Sequence, residues 1–372
     1  MRNIADTLAR MARAGAPTPR DTVQSRLTPL VEFGTNPGAL LGFSYVPANL
    51  PANAPLVVVL HGCTQTAAGY DHGAGWSKLA DRAGFALVFP EQTRANNPNL
   101  CFNWFASEDT AQAGGEAESI AQMTETMIAH HGLDRSRVYV TGLSAGGAMT
   151  MAMLATRPDL FAGGAVIGGL AYGTATGVSQ ALDRMRGHGD TSDTALVDLV
   201  RSGARGHNGR WPTLAIWHGG ADATVSVANA DTIARQWRGI HDVDAKAVRT
   251  ERVGTAVHRI WSDADGRDVV EDWTVPGMGH GTPINPLHGE RLGAAGPFML
   301  DVGLSSTAVI AKSWGLVAAG RTATAAKPAP VERVAKIAIP VLPKPAARPR
   351  AEAPTGIQAT IENALRAAGL MR

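Results

Sequence analysis

Residues 138–147 read Val-Tyr-Val-Thr-Gly-Leu-Ser-Ala-Gly-Gly, an apolar, β-branched run that ends in Gly-x-Ser-x-Gly. The run predicts a buried strand. Ala145 opens a helix that continues through Met149, Met151 and Leu154. A strand that turns into a helix this sharply lifts the serine Oγ above the sheet edge. Glycines flank the serine because the turn strains the backbone and bulky side chains would collide across it. At the helix N-terminus the amide of Ala145 points to where an oxyanion would form.

The chain around this turn alternates strands and helices. Leu30-Val31-Glu32-Phe33 and the run from Leu40 to Val46 flank Asn36-Pro37-Gly38, which is good turn chemistry for an opening antiparallel hairpin. Leu56-Val57-Val58-Val59-Leu60 is continuously apolar, as in a strand buried on both faces. A helix from Gly75 to Gly84, a strand from Phe85 to Phe89 and a helix from Ser119 to His131 lead to the Val138 strand. Phe161 to Ile167 and Thr213 to Trp217 read as further strands, with a helix from Ala228 to Trp237. Strands from Ala247 to Trp261 and from Asp268 to Val275 form a second hairpin, and a helix covers Thr307 to Val317. This alternation predicts an α/β fold, a mostly parallel sheet with helices on both faces. The periodic pattern weakens over residues 170–210, which read as an insertion over the carboxyl edge of the sheet, where such folds bind ligands.

A chain of 372 residues is long enough for one large α/β domain, here residues 25–320. Its net charge of +2 leaves no broad footprint for nucleic acid. No apolar run is long enough to span a membrane. Residues 1–24 form an amino-terminal arm whose first 13 residues lack the apolar centre of a signal peptide, which points to the cytoplasm. Residues 321–353 are rich in Ala, Pro, Lys and Arg and read as an extended basic linker. Residues 354–372 carry Ile357, Ile361, Leu365 and Leu370 at helical spacing, a short amphipathic helix. A basic tail of this kind makes an anionic surface, such as a coated polymer granule, a candidate partner.

A serine of ordinary pKa needs a base, and the base needs an orienting carboxylate. In α/β folds with this turn the chain order is Ser, acid, His, each on a loop at the carboxyl end of a strand. Ser144 is the nucleophile candidate. Asp222 leaves the Leu214 strand in Gly-Gly-Ala-Asp, and His280 follows the Asp272 strand inside Gly-Met-Gly-His-Gly. Asp231, Asp242, Asp265, His258 and His288 sit in helix, hairpin or mid-strand contexts, or well past a strand end. The second oxyanion donor is expected in His61-Gly62-Cys63-Thr64-Gln65-Thr66-Ala67, with the amide of Cys63 as the candidate and His61 as a structural residue. No metal-binding spacing, phosphate loop or dinucleotide fingerprint occurs, so neither metal nor cofactor is expected. Cys63 and Cys101 are the only cysteines, and the residues alone leave a bridge and two free thiols open.

Leu60-His61-Gly62-Cys63-Thr64-Gln65-Thr66-Ala67, Pro90-Glu91-Gln92-Thr93, Cys101-Phe102-Asn103-Trp104-Phe105 and Gly142-Leu143-Ser144-Ala145-Gly146-Gly147 together resemble the polyhydroxybutyrate depolymerase family of esterases. The likeness continues through Gly169-Leu170-Ala171-Tyr172-Gly173 and Gly279-His280-Gly281. It implies an α/β-hydrolase fold and a serine carboxylic ester hydrolase acting on hydroxyalkanoate esters, with Ser144, Asp222 and His280 as its triad. It also implies a Cys63–Cys101 bridge and substrate contacts from Asn103, Trp104 and Tyr172, although Trp104 reads equally well as a core or rim aromatic. Related families add a feruloyl or acetylxylan esterase as the alternative, and the resemblance makes the extracellular space the alternative compartment. A non-enzymatic protein that binds granules or surfaces has no need of triad positions.

Overall fold

A computed structural model describes residues 25–317. The arm expected at 1–24, the linker at 321–353 and the helix at 354–372 lie outside the described residues. The described strands are β1 (Thr28–Leu30), β2 (Leu41–Tyr45), β3 (Leu56–Leu60), β4 (Ala86–Glu91), β5 (Val138–Leu143), β6 (Gly163–Ile167) and β7 (Thr213–Gly219). They continue with β8 (Val248–Val253), β9 (Ala256–Ser262), β10 (Asp268–Val275), β11 (Thr282–Ile284) and β12 (Met299–Asp301). Ten of them form one sheet in the order β1-β2-β4-β3-β5-β6-β7-β10-β9-β8. From β4 to β10 all neighbours are parallel, and antiparallel pairs flank this block at both ends.

The helices are α1 (Ala67–Ala74), α2 (Trp76–Ala83), α3 (Ser107–Thr110), α4 (Gly115–His131), α5 (Ala145–Thr156), α6 (Val178–Met185), α7 (Asp193–Gly203), α8 (Ala228–Ile240) and α9 (Ser306–Ser313). Strand alternation explains why helices cover both faces. On β3, Leu56, Val58 and Leu60 join the core of α4, α5 and α8, through Ile120, Met149 and Ile233. Val57 and Val59 join the opposite core of α1, α2 and α9, through Tyr70, Leu79 and Ile310. All five β3 side chains are at most 1% exposed. Each such side chain contributes roughly 1.5–3 kcal/mol. That burial is why this run reads so clearly in the sequence.

The opening hairpin pairs Thr28 with Ser44 and Leu30 with Gly42, so β1 ends before Val31. The expected 247–261 strand is two strands, β8 and β9, joined by a turn at Gly254 with φ 58°. Residues 170–210 carry α6 and α7. Leu196 and Val200 of α7 are fully buried, and α7 packs on α5 and α8. Helices α1, α3, α6 and α7 and the β11–β12 pair escaped the sequence reading. Helix α1 starts where Thr66 accepts a hydrogen bond from the Gly69 amide.

Candidate active site

Ser144 sits between β5 and α5 with φ 58° and ψ −117°, and it is 6% exposed. A non-glycine residue held there stores roughly 1–3 kcal/mol of strain. The surrounding contacts enforce it. The Ser144 amide donates to the Ile167 carbonyl at 2.8 Å. A Cβ on Gly142 would fall 2.4 Å from the Gly146 carbonyl, and one on Gly146 would fall 2.5 Å from the carbonyl oxygens of Leu60 and His61. The two glycines of Gly-x-Ser-x-Gly are thus demanded by backbone meeting backbone.

Asp222 lies on the loop after β7. Its Oδ1 accepts from the amides of Thr224 and Val225 at 2.8 and 2.9 Å, a turn typical of aspartate. Its Oδ2 accepts from His280 Nδ1 at 2.7 Å. Behind it, His218 donates from Nε2 to the Val225 carbonyl at 2.9 Å and lies 3.5 Å from the same Oδ2. Burial pushes the Asp222 carboxyl up, but hydrogen bonding and charge from His280, with the Val225 amide and His218, outweigh it and hold it below the usual range. His280 follows β10. Gly168, at φ +54°, lies beneath the pair: a Cβ there would come within 3.1 Å of the imidazole. The loops after β5, β7 and β10 therefore converge as the chain order required. The rival candidates stay apart: Asp231 is exposed on α8, and His288 is exposed beyond β11.

Ser144 and His280 line one cavity with Gly62, Cys63, Gln65, Leu143 and Phe298. Gln65 Oε1 accepts from the Gly62 amide at 2.8 Å and Gln65 N donates to the Gly62 carbonyl at 3.2 Å, folding the loop on itself. Among the described residues, neither the Cys63 amide nor that of Ala145 is spent on another acceptor. Cys63 and Cys101 form a disulfide across 38 residues. A loop of that length stabilises by about 4 kcal/mol on the chain-entropy account.

Asn103, Trp104 and Tyr172 are not among the cavity residues. Trp104 packs on Ala148, Leu170 and Val225, beside the Asp222 loop. Asn103 accepts from Asn97 and donates its amide to Glu116. Tyr172 exchanges both backbone bonds with the Gln236 side chain. Phe298 is the cavity residue that sequence reading missed. It stands edge-on to His280, with ring centroids 6.1 Å apart, at a φ of 61°. It lies in a stretch without periodicity, so no local signal marks it.

Two buried groups near the site titrate far from their ordinary values. His61 is driven down to about 4 by burial, against the bond from its Nδ1 to the Gly62 carbonyl. Glu116 is pushed up to about 8 by burial and by the charge of Asp109, despite bonds from Asn103 and Gln92. The two act on stability with opposite sign. The unfolded chain takes up the His61 proton below about 6.5 while the fold resists it, so stability rises with pH from about 4 to 6.5. The fold keeps the Glu116 proton that the unfolded chain releases, so stability falls from about 4.5 to 8. Between pH 6.5 and 8 only the Glu116 effect remains of the two, about 2 kcal/mol. The melting temperature is expected to fall by several degrees over that window, and Glu116→Gln to flatten the fall. An unchanged slope in the variant would refute the assignment.

A sheet of this strand order with a Gly-x-Ser-x-Gly turn, an acid after β7 and a histidine after β10 defines an α/β hydrolase. Residues 43–259 match the Esterase PHB depolymerase family. The chain is 46% identical over 292 residues to the poly(3-hydroxyalkanoate) depolymerase C of Paucimonas lemoignei, covering 78% of this chain and 70% of that one. It is 31% identical to acetylxylan esterase A of Aspergillus ficuum, over 71% of this chain and 87% of that one. Among solved structures, the acetyl xylan esterase from Aspergillus awamori superposes with a TM-score of 0.67 at 26% identity, covering 78% of this chain and 99% of that one. The chain belongs to the Esterase PHB depolymerase family and is a carboxylic ester hydrolase. Among the described residues, no helix is long and apolar enough to cross a membrane.

Proposed function

We propose that Ser144, Asp222 and His280 form the catalytic triad, and that the chain cleaves hydroxyalkanoate esters through an acyl-serine. The observation that carries this reading is the 2.7 Å bond from His280 Nδ1 to Asp222, with His280 and Ser144 lining the same cavity. Asp222 holds Nδ1 protonated, which leaves Nε2 as the base. His280 takes the Ser144 proton as Oγ attacks the ester carbonyl, and the amides of Cys63 and Ala145 receive the oxyanion. The imidazolium then protonates the departing alcohol, and water, activated by the same imidazole, releases the acid. Identity to a poly(3-hydroxyalkanoate) depolymerase supports the substrate class. Likeness to acetylxylan esterases supports a second reading, hydrolysis of acetyl or feruloyl groups on polysaccharide.

Parallel assays separate the two. Turnover on 3-hydroxybutyrate oligomers is expected to exceed that on methyl ferulate or acetylated xylan by at least tenfold, and the reverse order would overturn the substrate assignment. In this reading residues 321–372 hold an anionic granule surface. Equal rates on granules for the full chain and one ending at Gly320 would remove that role. The Cys63–Cys101 bridge supports an oxidising compartment rather than the cytoplasm.

A further inference from the structure

Pro90-Glu91-Gln92-Thr93 is a motif that the triad leaves without a task, and it bonds to both ends of the oxyanion loop. Glu91 Oε2 accepts from the Ala67 amide at 2.6 Å, gripping the far end of the oxyanion loop where α1 begins. The Gln92 amide donates to His61 Nε2 at 3.1 Å, gripping the near end. Nδ1 of the same imidazole donates to the Gly62 carbonyl at 2.8 Å, so His61 is a neutral relay with both nitrogens engaged. The Gln92 side chain turns the other way. Its Nε2 donates to Glu116 Oε1 at 2.5 Å and to the Cys101 carbonyl at 2.9 Å, while Glu116 Oε2 accepts from the Asn103 amide at 2.8 Å. Gln92, Glu116 and His61 are each at most 1% exposed. One buried run of hydrogen bonds thus leads from Gly62 to Asn103. Above it, the Cys63–Cys101 disulfide joins the same two loops, and the Thr64 amide donates to the Asn99 carbonyl at 2.7 Å.

We propose that Gln92 and Glu116 are positioning residues for ester hydrolysis: together they set where the oxyanion loop, 61–67, stands relative to the 101–105 loop. Neither touches the cavity that holds Ser144. They act through His61 and Gly62, whose position places the Cys63 amide. This inference rests on the reading that the Cys63 amide receives the oxyanion. A donor of that kind is worth about 10²–10³ in turnover, and it fails when misplaced by as little as about 1 Å. Buried networks of this sort act as a unit, because a partner left unsatisfied has no water to turn to.

The test uses the full chain with Gln92→Met, Glu116→Met and Glu116→Gln. Reactive sites are counted by the end point of phosphonylation with a p-nitrophenyl phosphonate, so that misfolded protein does not enter the rate. Per titrated site on p-nitrophenyl butyrate, Gln92→Met and Glu116→Met are expected to lower kcat at least tenfold, with KM within threefold. Glu116→Gln keeps an acceptor for the Asn103 amide but turns its NH2 toward the Gln92 NH2, so its loss of kcat is expected to fall between the parent and Glu116→Met. The proposal is overturned if either methionine variant keeps kcat per site within twofold, or if Glu116→Gln is as damaged as Glu116→Met. It is equally overturned if only the number of sites falls while the survivors run at full rate, since the network is then structural alone. A fully active Ser144→Ala would instead remove the triad reading on which the inference stands.

Discussion

Replacing Ser144 by alanine is expected to abolish ester hydrolysis while leaving the fold in place. The side chain is small, it caps nothing in α5, and its backbone conformation is imposed by the Ile167 carbonyl and the flanking glycines. Loss of such a nucleophile lowers turnover on the order of a millionfold. The check is hydrolysis of p-nitrophenyl butyrate by purified protein with a melting curve alongside. A variant within tenfold of the parent would show that another group attacks the ester.

Asp222→Asn and His280→Ala come next in expected size. Asparagine at 222 would offer an amide where His280 Nδ1 needs an acceptor, so the imidazole would lose the tautomer that leaves Nε2 free; a drop of about 10⁴ in kcat follows. Neither change should add its full effect to Ser144→Ala, because in the proposed triad the three residues act as a unit. Asp231→Asn and His288→Ala, both at exposed positions, should leave turnover unchanged. If one of those proved the damaging change, the loop assignment would have slipped. The Asp222 carboxylate is held below its usual range, so its stabilising contribution is intact above about pH 4 and is lost only as pH falls through its lowered value. Any loss of activity between neutral pH and 5 therefore arises elsewhere.

The parts of this site that could be read from sequence are those fixed by a single local demand. Gly142 and Gly146 announce a turn too tight for side chains, and Asp222 and His280 each leave a strand through glycine-rich residues. The parts that could not be read depend on elements distant in the chain. Glu116 illustrates the difference. Apolar spacing started the helix at Ser119, whereas α4 begins at Gly115 and carries Glu116 in its first turn, sealed beneath a loop it never neighbours in sequence. Nothing local distinguishes that glutamate from a solvated one. Phe298 was hidden for the same reason, since its place beside His280 comes from the pairing of β11 with β12. The β8–β9 division was legible at Gly254 but masked by strand-forming residues on either side.

The sheet has two outer rims, and both are unfit for recruiting another strand. At one, β1 is three residues long and its middle residue is Pro29, which brings no amide to a neighbour. At the other, β8 presents Arg249, Glu251 and Arg252 to solvent, with Arg249 paired to Glu251 and to Asp268. Adding a strand there would strip water from a row of charges. A ten-stranded β structure is a standing invitation to edge-to-edge fibre growth. In this protein proline interrupts one margin and charged side chains line the other, which disfavours the joining of sheets between copies.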